Sequence, residues 1–280
     1  MSGERSFIFT ITPGHTGTMY MADLLNRNIP DSEIYHELLG YDRFGVDTPD
    51  VSHLTLFNSR GNVPKVQQFW RNKFHRVLSR PCRVYGEMSH ILVKAGLFEN
   101  IDALTQEGPI HVLLVRRDMM KNLMSFKNRY DFKNKGDMWL WYLDPDYPRK
   151  IIHPQPFSAL GIDGIRLWYI CEMRTRGEYY RLILGGNHQV RFHDVDIENM
   201  SDPERVADLL KRMGFEVPSS KISIPDRKNV TRKPMIPQTT PASEKEKERI
   251  HRVINNLQFD PVQLARKFVE AGNRLSGGAA

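Results

Sequence analysis

A loop with two glycines near the start of the chain contains residue types that could bind an anion. It reads Pro13-Gly-His-Thr-Gly-Thr18, between an apolar run over 7–11 and a stretch of helical periodicity. In a strand–loop–helix unit, the loop amides and the first amides of the helix lack helical partners, and the helix dipole favours negative charge there. Gly14 and Gly17 let a ligand approach the backbone closely. The loop therefore predicts a site for a phosphate-like group, with an ordinary tight turn as the alternative.

This loop differs from the motif that binds nucleoside triphosphates, G-x-x-x-x-G-K-[ST]. In that motif the lysine reaches the outer phosphates and the hydroxyl binds Mg²⁺. Here Thr18 follows Gly17 directly, so the lysine is missing, and His15 is the ionisable side chain of the loop. No cluster in the sequence has the spacing of metal ligands. The sequence thus predicts an anion site that works without a metal.

A second strand–helix unit carries an arginine and a serine. The run from Ile110 to Val115 is typical of a buried strand, and Met119 to Tyr130 has helical periodicity. Arg117 lies between the two, and Ser125 follows it by eight positions on the predicted helix. A guanidinium group can bind a phosphate through paired N–H donors, so this unit also predicts an anion site. A surface ion pair of Arg117 with a nearby aspartate is the alternative.

The two units together resemble the sulfotransferases that use 3′-phosphoadenosine 5′-phosphosulfate (PAPS). In that family a P-[KR]-x-G-[ST] loop binds the 5′-phosphosulfate, and an arginine with a serine eight residues later binds the 3′-phosphate. The resemblance implies that Arg117 and Ser125 bind the 3′-phosphate. It implies that the loop binds the 5′-phosphosulfate through Gly14, His15, Thr16, Gly17, Thr18 and Met19. His15 replaces the family's basic residue, which leaves open how the sulfonate is neutralised, and Met119 replaces its proline.

Two further stretches extend the resemblance over roughly residues 6–217. The segment 85–90 is similar to the family's Gly-Glu-Lys-[ST]-Pro segment, with Met88 and His90 in place of the lysine and the proline. The segment 189–215 is similar to the family's late strand and the helix that follows it.

Three side chains are candidates for the base that accepts a proton from the substrate. Glu87 matches the glutamate of the Gly-Glu-Lys segment and is the first candidate. Glu37 follows the loop by about twenty residues, where protein-tyrosine sulfotransferases have a catalytic glutamate, and His36 beside it has an ordinary pKa near 6.5. Each could instead be a structural ion pair or a hydrogen-bonded histidine. His15 is assigned to the sulfonate group that is transferred.

Strands separated by helices imply an α/β fold with a parallel sheet flanked by helices on both faces. By resemblance this is the P-loop-like fold of the sulfotransferases. Ligands of such sheets bind beyond the carboxyl ends of the strands. His15 follows the predicted strand over 7–11, Glu87 follows a short strand predicted over 83–86, and Arg117 follows the one over 110–115. We therefore expect all three at one crevice.

The expected organisation is a single domain over 1–280. The irregular, aromatic segment 130–160 predicts a lid that binds the acceptor, 219–241 a basic loop, and 242–280 terminal helices and a tail. Helices are also predicted over 64–80, 91–105 and 164–184, and a polar loop over 31–50.

Composition narrows the function classes. The 280 residues are 40% hydrophobic and 26% charged, as in soluble globular proteins. The net charge of +7 is spread along the chain, which suits capture of a polyanion and argues against a nucleic-acid partner. The two cysteines give no disulfide framework. Since no leader and no long apolar run is present, we expect a cytoplasmic protein without a membrane span.

These observations lead to one expected function and two alternatives. The expected function is transfer of a sulfuryl group from PAPS to a hydroxyl or amine of a small polar acceptor, such as a natural product or a sugar. The product of the donor is 3′-phosphoadenosine 5′-phosphate (PAP), and no metal is needed. The alternatives are a P-loop kinase of small molecules that uses ATP and Mg²⁺, and a non-catalytic nucleotide-binding protein on the same fold.

Overall fold

Strand β1 (Ser6–Ile11) lies at the centre of a five-stranded sheet in the computed structural model, which describes residues 5–38, 43–128, 132, 141–226 and 243–277. The other strands are β2 (Ser32–Tyr35), β3 (Val84–Glu87), β4 (Ile110–Arg116) and β5 (Val190–Asp196). Their order is β2-β3-β1-β4-β5, and every pairing is parallel. The predicted α/β fold with a parallel sheet is confirmed.

Helices cover both faces of this sheet, because successive side chains of a strand point to opposite faces. Phe7 and Phe9 of β1 pack in one apolar cluster with Trp70, whereas Ile8 packs with Leu24 in the other. The helices are α1 (Thr18–Asn28), α2 (Val51–Arg60), α3 (Pro64–Leu78), α4 (Asp102–Thr105), α5 (Met119–Asn128), α6 (Ile162–Leu184), α7 (Pro203–Arg212), α8 (Glu244–Asn256) and α9 (Pro261–Glu270).

Two elements near the first helix differ from the sequence predictions. The segment 31–50, predicted as a loop, contains β2, and α2 follows it. β2 pairs with β3 alone, and Ile34 is the one residue of its four that is buried, so the apolar signal of a strand is nearly absent. Asp50 caps α2 by accepting a hydrogen bond from the backbone N–H of His53. A polar edge strand explains why periodicity missed this region.

The helix predicted over 91–105 is also broken. The structure has two short 3₁₀ helices there, Leu92–Ala95 and Phe98–Asn100, followed by the single turn of α4. Gly96 ends the first of them with φ 88°, a left-handed conformation that interrupts a helix. The break sets the 3₁₀ helix Leu92–Ala95 directly after β3, beside the site described below.

Parts of several predicted segments lie outside the described residues. These are 39–42 of the polar loop, 129–130 at the end of the helix predicted from Met119, 130–131 and 133–140 of the proposed lid, 227–241 of the basic loop, and 242 and 278–280 of the terminal segment. Within the described ranges, no helix has the length and apolar character needed to cross a bilayer.

Candidate active site

The loop after β1 has a backbone suited to binding an anion. Gly14, His15 and Gly17 all have positive φ angles, of 89°, 56° and 78°. Gly17 is the N-cap of α1, and no side chain caps the first turn of that helix. The hydroxyls of Thr12 and Thr16 hydrogen-bond to each other and brace the loop from within. The first N–H groups of a helix lack partners within it, so a glycine-containing loop before an uncapped helix is suited to an anion.

His15 joins this loop to helix α5. Its ring Nδ1 lies 3.0 Å from the hydroxyl of Ser125, and the ring stacks on Phe126 with 4.4 Å between centroids. Its Nε2 lies 3.4 Å from the hydroxyl of Tyr142. The structure therefore brings together His15 and Ser125, which the sequence assigned to neighbouring groups of one ligand.

Arg117 and Asn122 hold the backbone of the same loop. Arg117 donates from its guanidinium NH1 to the carbonyl oxygen of His15 at 3.2 Å. The side-chain amide of Asn122 donates to the carbonyl oxygen of Gly14 at 3.0 Å. About a third of the Arg117 side chain is exposed, and its Nε lies 3.9 Å from a carboxylate oxygen of Glu198. A partly exposed guanidinium held at the loop can still turn toward an anion.

An open cleft of about 570 Å³ adjoins Arg117 beyond the carboxyl ends of β4 and β5. Arginines and aspartates line most of it: Arg116, Arg117, Arg174, Arg205, Arg212, Asp118, Asp194, Asp196 and Asp208. Several of these arginines are already paired, since Arg116 contacts Glu178 at 2.5 Å and Arg212 contacts Asp208 at 3.2 Å. The cleft is polar and large enough for a nucleoside.

Glu37 and His36 follow the edge strand β2 and approach the loop from the other side. His36 Nε2 lies 3.0 Å from the hydroxyl of Thr18, and burial lowers the pKa of His36. Glu37 has a φ of 43°, and one carboxylate oxygen lies 3.4 Å from His90 Nε2. Burial raises the pKa of Glu37 to about 7, although the backbone N–H of His90 and the charge of Lys94 act in the opposite direction.

Glu87 has a different environment from the one expected for an open base. Its side chain is fully buried at the end of β3, and Oε1 lies 2.5 Å from the ammonium of Lys73. The hydroxyl of Tyr85 donates to the same oxygen at 2.7 Å. This placement favours the structural ion pair that was the alternative for Glu87. Because solvent is excluded and its carboxylate is paired with a buried ammonium, Glu87 is poorly placed to take a proton from a bound molecule.

Three contributors to the site had no assigned role in the sequence analysis: Asn122, His90 and Lys94. Asn122 lies one helical turn before Ser125, on the face of α5 that meets the loop. Lys94 stands in the run Ile91-Leu-Val-Lys-Ala95, and a lysine inside an apolar run was the available signal. Among the described residues, no three metal-ligating side chains come together.

Comparisons with known proteins gave no sequence match, since neither a family model nor a curated protein matches the chain. Two solved structures are similar to it at 11–13% identity. One is a sulfotransferase from Alicyclobacillus acidocaldarius, with a TM-score of 0.47 and 13% identity over 96% of this chain and 97% of that one. The other is the mouse sulfotransferase SULT7A1 complexed with PAP, with a TM-score of 0.43 and 11% identity over 96% of this chain and 89% of that one.

Both are sulfotransferases. Both matches span nearly the whole of this chain. At these scores the likeness does not decide an activity, which has to be inferred from the site's own residues.

Proposed function

We propose that this protein is a PAPS-dependent sulfotransferase that sulfates a hydroxyl or amine of a small polar acceptor. One observation carries the proposal most directly. His15, Arg117 and Ser125 come from segments about a hundred residues apart, yet His15 contacts Ser125 through its ring and Arg117 through its carbonyl oxygen. A ligand with two separate phosphate-like groups suits an uncapped helix N-terminus with an arginine and a hydroxyl beside it.

Each residue has a proposed role in binding the donor. The amides of Thr16, Gly17, Thr18 and Met19, with the backbone of Gly14, bind the 5′-phosphate, and the Thr18 hydroxyl assists. Arg117 and Ser125 bind the 3′-phosphate, and the cleft beyond β4 and β5 receives the adenosine. His15 contacts the sulfonate. These side chains and amides supply the hydrogen-bond donors that the two phosphate groups and the sulfonate of PAPS need.

Proton transfer is assigned to Glu37. Sulfuryl transfer joins an acceptor oxygen or nitrogen to sulfur and breaks the bond from sulfur to the bridging phosphate oxygen, so the acceptor must lose a proton. With a pKa of about 7, Glu37 is poised near neutral pH, which is optimal for a general base. His36 contacts Thr18 and is a neighbour of this group rather than our choice of base.

A kinase using ATP and Mg²⁺ is the less favoured proposal. Its defining lysine is absent after Gly17, and the described residues hold no cluster of metal ligands. A non-catalytic nucleotide-binding protein would share the donor site, and turnover distinguishes it from an enzyme.

Calorimetric titration with PAP tests this function, with 5′-AMP and Mg-ATP as reference ligands. We expect PAP to bind without metal and far more tightly than 5′-AMP, since 5′-AMP lacks the 3′-phosphate. Arg117→Ala should lose about 1.5–3 kcal/mol of PAP affinity, the size of a charged hydrogen-bond pair. Arg27→Ala, an exposed arginine paired with Asp23 on α1, is the matched control and should bind normally. Tighter binding of Mg-ATP, or no binding of PAP, would overturn the proposal.

A further inference from the structure

A buried lysine lies beneath the anion-binding loop. Lys94, on the 3₁₀ helix Leu92–Ala95, has a fully buried side chain. Its Nζ lies 3.0 Å from Nδ1 of His90 and 2.8 Å from the hydroxyl of Tyr169, and it donates to the carbonyl oxygen of Trp141. The rings of Tyr142 and Tyr169 have their centroids 5.2 and 5.1 Å from Nζ. Three polar partners and two aromatic faces are the surroundings of a donor with three hydrogens.

The contact with Lys94 determines which nitrogen of His90 carries hydrogen. Burial lowers the pKa of His90 well below its ordinary value, and the positive charges of Lys94, His15 and His36 act in the same direction. A neutral imidazole has one N–H donor and one acceptor. Because Nδ1 receives a hydrogen from Lys94, Nε2 carries the ring hydrogen of His90.

That Nε2 faces Glu37. It lies 3.4 Å from Oε1 of Glu37, and the backbone N–H of His90 donates to the same oxygen at 3.3 Å. Hydrogen bonds of catalytic groups are often long in unliganded sites and shorten when substrate binds. The three side chains therefore form a continuous series of contacts, from the Lys94 amine through the His90 ring to the Glu37 carboxylate.

The charge state of Lys94 does not alter this direction. Burial lowers the pKa of the Lys94 amine well below its usual range, while the Glu37 carboxylate acts in the opposite direction. An ammonium donates to all three neighbours. A neutral amine still has two hydrogens, one for the Trp141 carbonyl and one for His90, while the Tyr169 hydroxyl can donate to its lone pair.

This series of contacts between Lys94, His90 and Glu37 lies against the proposed donor site. A Cβ built on Gly14 would lie 3.3 Å from Cγ of His90, so the ring packs directly against the loop. His90 also stacks on Tyr142 with 5.4 Å between centroids, and the Tyr142 hydroxyl lies 3.4 Å from Nε2 of His15. Any proton accepted by Glu37 is thus accepted close to the group that contacts the sulfonate.

We propose that Lys94 is a positioning residue for proton transfer: by donating to Nδ1 of His90 it directs the Nε2–H toward Glu37. This inference rests on the proposed function. The backbone N–H of His90 donates to Oε1 of Glu37 and the ring Nε2 lies near the same oxygen, so Oε2 is left to take the proton that the acceptor loses when its bond to sulfur forms. Glu37 then becomes a carboxylic acid, and the proton leaves to solvent before the next cycle begins.

Nuclear magnetic resonance tests this without an acceptor. Protein labelled with ¹⁵N in histidine rings and ¹³C in glutamate carboxylates is titrated from acid to alkaline pH, and His90→Gln and Glu37→Gln assign the signals. In the wild type we expect the Nε2–H form of a neutral His90 and titration of Glu37 near 7. The charged or titrating groups facing Glu37 are His90, Lys94 and Glu87, and Glu87 acts to raise its pKa. Finding the Nδ1–H form in the wild type would overturn the proposal without any variant.

Variants then separate positioning from folding. Lys94→Met should mix the two His90 forms and raise the pH at which Glu37 titrates, because part of the protein then lacks the His90 Nε2–H directed at the carboxylate. His90→Gln keeps an N–H toward Glu37 and should leave the titration nearly unchanged, whereas His90→Asn keeps only a partner for Lys94 and should raise it. Unchanged titration in both Lys94→Met and His90→Asn would overturn the proposal.

The control is Trp70→Phe, which removes a buried hydrogen bond to the carbonyl of Ala95 in the same 3₁₀ helix but changes no charge. This variant should lower stability but leave the His90 ring signals and the titration of Glu37 unchanged. PAP titration on the same samples keeps the two proposals apart. If the wild type did not bind PAP, the proposed donor site would be refuted. The histidine signals would still show whether Lys94 determines the position of the His90 ring hydrogen.

Discussion

The ring Nδ1 of His15 lies 3.0 Å from the hydroxyl of Ser125, a residue 110 positions later in the chain. This hydrogen bond closes the loop after β1 onto helix α5. Because both partners are assigned to the donor ligand, the ligand must share or replace the bond when it binds.

Ser125→Ala should therefore weaken PAP binding by at most about 1.5–3 kcal/mol, the net contribution of a hydrogen bond to a charged group, because the bond to His15 is given up when the phosphate binds. The affinity for 5′-AMP, which lacks the 3′-phosphate, should not change. Titration calorimetry with the two nucleotides gives the comparison, and Ser79→Ala at the end of α3 is the control. An equal loss for both nucleotides would show that Ser125 supports the loop rather than the 3′-phosphate.

Gly17→Ala should lower the free energy of unfolding more than alanine usually does when it replaces a glycine in the left-handed conformation. An alanine in this conformation costs about 1–2 kcal/mol. At Gly17 the new Cβ would also lie 2.9 Å from Cγ1 of Ile197, whereas at Gly214, with φ 88°, nothing lies within 4 Å.

Urea denaturation of Gly17→Ala and Gly214→Ala measures the difference, and Gly17→Ala combined with Ile197→Ala should recover the excess. Equal losses at the two glycines would contradict a tight contact between the loop and the segment after β5.

Glu37→Gln should lower kcat by roughly 10²–10⁴-fold while PAP affinity is retained, since a general base contributes about that much. The wild-type rate should rise with pH through about 7, where Glu37 loses its proton. The assay is release of PAP from PAPS with an acceptor found by screening hydroxyl and amine compounds.

Glu87→Gln is the informative comparison. It leaves the buried ammonium of Lys73 without its carboxylate, so we expect a loss of stability of about 3–5 kcal/mol. If the Glu87→Gln variant remained folded but lost turnover, and the Glu37→Gln variant stayed active, the base would be Glu87 and not Glu37.

The paired histidines His111 and His193 should make stability fall in acid. Nδ1 of His111 lies 3.0 Å from Nε2 of His193, and burial first, then neighbouring positive charges, lower their pKa values to about 3 and about 4. The unfolded chain binds protons to both below its ordinary histidine pKa near 6.5, so their contribution is present above that pH and is lost as pH falls toward 4.

His111→Leu should flatten the dependence of unfolding free energy on pH between about 6.5 and 4.5. When the unfolded state takes up one proton fewer relative to the folded state, the slope of the unfolding free energy against pH falls by about 1.4 kcal/mol per pH unit. Burial raises the pKa values of Glu37 and Glu99 to about 7, so these two groups change stability in the opposite direction. Both groups are present in the wild type and in His111→Leu, so they cancel in the comparison. His251→Gln, exposed on α8, should keep the wild-type slope; an unchanged slope in His111→Leu would contradict the prediction.

Local pattern was enough to predict the two strand–helix units that carry the proposed donor site. β1 and β4 are buried along almost their whole length, so their apolar runs stand out, and the helices after them have clear periodicity. The convergence of His15, Glu87 and Arg117 at one edge was expected from the parallel topology. The carboxyl ends of the five strands do lie at one edge, but Glu87 points into the core there.

The proposed base and its surroundings could not be predicted in the same way. The environment of Glu87 depends on Lys73, which stands on α3 and meets it only through packing across the sheet face. The environment of Lys94 depends on Trp141 and Tyr169, about 47 and 75 positions away. Pairing between distant side chains leaves no periodic trace in a single sequence, so the choice among Glu87, Glu37 and His36 needed the fold.

The position of β2 at the margin of the sheet has a consequence for how such a protein could diversify. The proposed phosphate-binding residues follow β1 and β4, which have neighbours on both sides, whereas Glu37 follows a four-residue strand held by β3 alone. Substitutions around β2 disturb few ladder contacts, while those around β1 disturb the whole sheet. Selection for a new acceptor can therefore act on one border of the molecule and leave the interior framework of donor recognition unchanged.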